Sequence, residues 1–146
     1  CHFDIHCRRK ETRMFVFWGL KTMQELSGGW RVEIEHAREW LCMRLFEPFL
    51  HTPVQQLAEQ MRCLLDREYS RNLVLEMDEV FHLSGRLLRQ IQLLEEHLSC
   101  QGGELRLSGL SDDCYASVQK VKLEARFPRF HTRQQALTSH APRNPR

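Results

Sequence analysis

Between residues 72 and 121 the chain alternates twice between short apolar runs and longer stretches with a helical repeat. This alternation constrains the fold more than any other feature, because strand, helix, strand, helix in that order builds a parallel sheet with helices packed on it. Asn72-Leu73-Val74-Leu75-Glu76-Met77-Asp78 is mostly apolar, as a strand buried on both faces must be. From Ser84 to Leu98 the apolar residues Leu87, Leu88, Ile91, Leu94 and Leu98 fall on one helical face, with Arg89, Gln92, Glu95 and Glu96 on the other. Gln101-Gly102-Gly103 ends that helix. Glu104 to Gly109 is the next strand, and Ser111 caps a helix carrying Tyr115, Val118 and Val121.

The flanking segments extend the same pattern. Arg31-Val32-Glu33-Ile34-Glu35 alternates polar and apolar, and Trp40 to Phe46 forms a second strand after a turn at His36–Glu39, so the two form an antiparallel pair. Pro48 breaks the ladder. Thr52-Pro53 opens a helix, since threonine caps and proline suits the first helical position. Val54, Leu57, Met61, Leu64 and Leu65 then share one face. Near the C-terminus, Phe127–Phe130 is a short extended piece, and Thr132 with Gln135 has the spacing of a capping box for a last helix through Ala136 and Leu137. The expected fold class is therefore α/β. It is a single domain over residues 30–138, a mostly parallel sheet with an N-terminal antiparallel strand pair, packed by about four helices. Residues 1–29, ending in Ser27-Gly28-Gly29, show no period and are expected to form a poorly ordered leader. Residues 139–146 are expected to be a disordered basic tail.

Composition excludes several functions. A net charge of +2 is too small to mark a nucleic-acid or membrane surface, and no basic patch interleaves with aromatics. No apolar run approaches the roughly 18–20 residues of a membrane span. Met14 to Leu20 is too short, and Lys21 and Glu25 follow too soon, for a signal sequence. Six cysteines without framework spacing fit a reducing, cytoplasmic setting. Cys1, His2, His6 and Cys7 are zinc-type ligands, but their spacing matches no standard site, so no metal is expected. Phosphate-binding, zinc-protease and serine-hydrolase motifs are absent, and no cofactor is expected. Trp30 and Trp40 are assigned to packing at the hairpin. Glu76 and Asp78 are read as polar punctuation of a strand, and His51 as a loop residue.

Four words in register resemble the STAS family, named for sulfate transporters and anti-sigma factor antagonists. They are Leu73 to Val80, Gly102 to Ser111, Val118 to Phe130 (with Val121, Leu123, Phe127 and Pro128), and Thr132 to Leu137. The resemblance covers roughly residues 30–138. It implies a protein-binding regulator of transcription that works by partner switching, with an anti-sigma factor or kinase-like partner and no catalysis. The alternative within the family is an accessory or sensor module that binds a small ligand or serves a transporter. In the regulators it resembles, the helix after the Leu73–Asp78 strand starts with Asp-Ser-Ser-Gly, and the first serine is phosphorylated. Aligned on Val80 and Leu83, Ser84 falls on the aspartate, Gly85 on the acceptor serine and Arg86 on the next one. The acceptor hydroxyl is missing. Ser84 is read as a helix cap, with a phosphoacceptor role as the lesser alternative, because the one-residue shift it requires turns the helix by about 100°. The expected partner-binding surface is His82, Leu83, Ser84, Gly85, Arg86 and Arg89, with Phe49 and Leu50 from a neighbouring loop. Arg86 sits unfavourably at a helix N-terminus and is expected to meet an acidic group on the partner. The sequence leaves the oligomeric state open.

Overall fold

A computed structural model describes residues 21–48 and 56–138. Six strands form one sheet in sequential order: β1 (Thr22–Glu25), β2 (Arg31–Ala37), β3 (Trp40–Phe46), β4 (Asn72–Glu76), β5 (Glu104–Ser108) and β6 (Arg129–Phe130). The first three pair antiparallel and the rest parallel. Four helices complete the α/β domain: α1 (Leu57–Arg67), α2 (Gly85–Cys100), α3 (Asp112–Lys120) and α4 (Arg133–Thr138).

Period-two alternation sends successive strand residues to opposite faces, and the two faces differ. On the first, Val32, Ile34, Leu41, Met43, Leu45, Leu73, Leu75, Leu105 and Leu107 form one cluster with the apolar sides of α1, α2 and α3. On the second, a small cluster of Cys42, Val74, Phe130 and Ala136 lies beneath α4. Strand β4 is buried on both faces, as its apolar run requires.

The expected caps form where the sequence places them. The Ser84 hydroxyl accepts from the Leu87 N–H at 3.1 Å, and Ser111 accepts from Cys114 N–H at 3.1 Å. Thr132 accepts from Gln135 N–H at 3.1 Å, while the Gln135 side chain accepts from His131 N–H at 2.6 Å. Gly102 ends α2 with φ +80°, and a Cβ on Gly103 would sit 1.9 Å from the Arg71 carbonyl oxygen. Only glycine fits there.

Other expectations need correction. Thr22–Glu25 is a strand, although no order was expected before Trp30. Its side chains are mostly exposed, so it is recruited by backbone pairing with β2, which leaves no apolar signature. Ser27–Gly29 is a 3-10 turn rather than a loose junction: Ser27 N–H donates to Gln60 Oε1 at 2.8 Å, and Gln60 Nε2 donates back to Ser27 Oγ at 2.7 Å. Helix α1 begins at Leu57, because Gln56 has φ +65° and cannot continue a right-handed helix. The expected opening at Thr52-Pro53-Val54 lies outside the described residues. Val121 ends α3 and is exposed instead of facing inward.

Candidate functional site

At the carboxyl ends of the parallel strands, the chain leaves β4 and crosses residues 77–84 to reach α2. Backbone bonds fix this crossing. Met77 N–H donates to Ser108 O at 2.7 Å, Val80 N–H to Met77 O at 3.0 Å, and Phe81 N–H to the Glu47 carboxylate at 2.8 Å. Val80 and Leu83 point into the main core. Between them Phe81 and His82 are turned outward, with Phe81 74% exposed. Gly85, Arg86 and Arg89 continue the exposed surface along α2.

The structure buries one residue expected in the exposed surface, Leu83, and exposes a further residue of the same crossing, Phe81. Leu83 is 5% exposed and belongs to the core, so it is not available to a partner. It precedes the cap, and Leu88 occupies the fourth helical position; both lie in the main core, as in a hydrophobic staple. Ser84 is half-buried and its hydroxyl serves the cap. Phe49, Leu50 and His51 lie outside the described residues. Phe81 was missed, although an aromatic residue between Val80 and Leu83 in a strand-to-helix crossing is the available signal.

Among the described residues Arg86 and Arg89 make no ion pair, whereas Arg44, Arg67, Arg126, Arg129 and Arg133 all do. Gly85 is equally unaccounted for within the domain. A Cβ there would meet nothing within 4 Å, so no packing demands glycine. At the neighbouring rim, Arg129 binds the Leu110 carbonyl at 3.0 Å and Asp112 at 2.8 Å, which holds the Asp112 carboxyl below its ordinary range.

Glu76 and Asp78 do not act as simple punctuation. Glu76 is 2% exposed, in a row across the second face in which Glu33, Arg44, Glu76 and Ser108 are neighbours in register. Arg44 reaches Glu76 at 2.7 Å, Asp78 at 3.2 Å and Glu33 at 3.5 Å. Arg133 from α4 binds the other Glu76 oxygen at 2.7 Å and Glu35 at 2.7 Å. Burial opposes the charge on both arginines, but the charges and hydrogen bonds of Glu76 with Asp78 (for Arg44) and of Glu35 with Glu76 (for Arg133) outweigh it and raise both above their ordinary value. Both Glu76 oxygens are engaged, which makes it a structural node.

Trp30 is buried in the main core, and Trp40 lies under the Arg106 guanidinium at 4.7 Å, so both tryptophans pack. Among the described residues no group of three histidine, cysteine or acidic side chains could hold a metal, and Cys1, His2, His6 and Cys7 lie outside them. No helix among the described residues is long and apolar enough to cross a membrane.

A six-stranded mixed sheet with helices mostly on one face, and a helix start at its carboxyl rim, defines a class of small α/β domains. The STAS domain family model matches residues 31–136, and the chain belongs to that family. Among solved structures it is similar to a candidate anti-sigma factor antagonist of Thermotoga maritima, with TM-score 0.59 and 12% identity over 71% of this chain and 89% of that one. It is also similar to an anti-sigma-factor antagonist (STAS) domain protein of Planctomyces limnophilus, with TM-score 0.59 and 17% identity over 73% and 94%. These likenesses show a shared fold. A comparison with curated protein sequences finds no match.

Proposed function

We propose that this domain is a non-catalytic regulatory module that binds a protein in the manner of the anti-sigma factor antagonists it resembles in fold. Its docking surface is Phe81, His82, Gly85, Arg86 and Arg89, and it controls transcription by partner switching in the cytoplasm without a loop phosphoserine. The observation that carries this reading is an exposed aromatic residue in the crossing to α2, followed on that helix by two exposed arginines that have no ion-pair partner among the described residues. Aromatic and arginine side chains are the commonest energetic anchors of protein interfaces. Two costs support it. Glycine in the first turn of α2 loses about 0.5 kcal/mol or more against alanine, and Arg86 opposes the helix dipole by a few tenths of a kcal/mol. Neither residue gains a contact inside the domain that offsets its cost. A partner with an acidic side chain, an anti-sigma factor or a related kinase-like protein, accounts for both.

The phosphoserine position holds Gly85, which has no hydroxyl, and Ser84 is engaged as a cap, so docking here is read as constitutive. The test compares wild type with Arg86→Glu by affinity capture from the native cell and by denaturant melts. The variant is expected to hold the captured partner at least tenfold more weakly while being equally stable or slightly more so, the rim charge now matching the dipole. Unchanged capture disposes of this surface.

A second reading, a sensor module for a small ligand, is favoured by a shallow groove between α1 and α2. It is lined by Arg62, Gln90, Leu93 and His97, and the His97 Nε2 atom is buried without a partner among the described residues. Retention of nucleotide or lipid by the purified domain would support that reading over the first.

A further inference from the structure

The second face of the sheet carries residues that the proposed docking surface does not use. We propose that α4 is a charge-held strap, which lifts from this face as a unit ahead of global unfolding and uncovers the apolar strip beneath it. Helix α4 has six residues, too few to be stable alone. Its only buried residue is Ala136, with Leu137 packed beside it. By contrast, α1 and α2 each bury five or more side chains.

What holds α4 is polar. Arg133 bridges Glu35 and Glu76, which lie on different strands, and Arg106 of β5 donates to the Ala136 carbonyl while stacked between Trp40 and Phe130. Arg133 is 25% exposed and Glu35 18%, so water already reaches this clamp. Release passes Glu35, already 18% exposed, from Arg133 to water. Glu76 keeps Arg44, and Arg133 passes into solvent. The strap therefore opens at far lower cost than the leucine-lined helices on the other side.

Cys42 reports the opening. It is fully buried on the second face, in register between Glu35 and Val74, and belongs to the cluster that Ala136 covers. Burial pushes its thiol up to about 11, with Arg133 opposing and Glu76 and Glu35 adding, so the closed form is unreactive near neutrality. Cys114, a residue of α3 buried in the main core, is the internal reference.

The experiment is maleimide labelling of the full chain under native conditions, with rates assigned to each cysteine by peptide mass spectrometry. Cys42 is expected to label at least tenfold faster than Cys114. Arg133→Gln should accelerate Cys42 a further roughly 10- to 100-fold, the loss of charge-assisted bonds converted to a population, and leave Cys114 unchanged. Glu35→Gln removes the charge from one of the two bonds and should give a smaller acceleration of the same residue. Equal rates for Cys42 and Cys114 in wild type and both variants overturn the strap. So does a joint rise of both rates in Arg133→Gln, or loss of its far-ultraviolet circular dichroism, since either means that α4 is integral to the whole fold. None of these outcomes touches the rim, so the proposed docking site stands or falls separately.

Discussion

The two faces of the sheet come from the same strands, yet different forces hold them. On the first, aliphatic and methionine side chains of β2 to β5 meet three helices in one continuous apolar cluster. On the second, a four-residue cluster sits beside a lattice of carboxylates and arginines, and one short helix closes part of it. Apolar burial is non-directional and scales with area, so the first face supplies most of the stability. Ion pairs are directional and offset much of their own desolvation, so the second face places α4 more than it stabilises the domain.

The largest expected effect lies on the first face. Phe127 is fully buried, and Phe127→Ala should cost about 3–5 kcal/mol in a urea melt through the cavity it leaves. A smaller loss than at the second face would invert the comparison. Glu76→Ala comes next. It leaves Arg44 and Arg133 without their shared carboxylate, and because both arginines are partly solvated the cost should be about 2–3 kcal/mol by the same measurement. A near-neutral result would mean that water substitutes for the whole network.

The smallest of the three effects separates the faces by pH. The Cys42 thiol is raised from 9.0 to about 11 in the folded state, so the unfolded chain loses its proton first. The associated stability is intact below pH 9 and is lost as pH rises towards 11, amounting to about 2 kcal/mol by roughly pH 10.5. Comparing the alkaline slope of wild type with that of Cys42→Ala isolates this contribution. If the two slopes coincide, Cys42 is better hydrated than its burial indicates.

How far each region was legible in the sequence follows the same division. The apolar spacing in α1 and α2 marked their inward faces, and Ser84, Ser111 and the Thr132–Gln135 pair marked helix starts, because caps act within a few residues of themselves. At the rim, His82, Gly85, Arg86 and Arg89 are exposed before and along α2, whereas Leu83, expected in the same surface, is buried and Phe81 is turned outward. The direction of a side chain in an extended crossing depends on which neighbours reach it. Glu47, some 34 residues earlier, is what holds the Phe81 backbone.

Local order alone determined the α/β class, the antiparallel opening pair, the parallel remainder and the helix caps. Those properties depend on periodicity and on bonds spanning three or four residues. Tertiary structure decided that β1 joins the sheet, that Gln60 fastens the turn at Ser27, and that Glu76 becomes the hub for Arg44 and Arg133. The β1 pairs lie six to twelve residues apart, and the other contacts join groups more than thirty apart. A backbone edge or a charged side chain carries no mark in the sequence of the distant group it will meet.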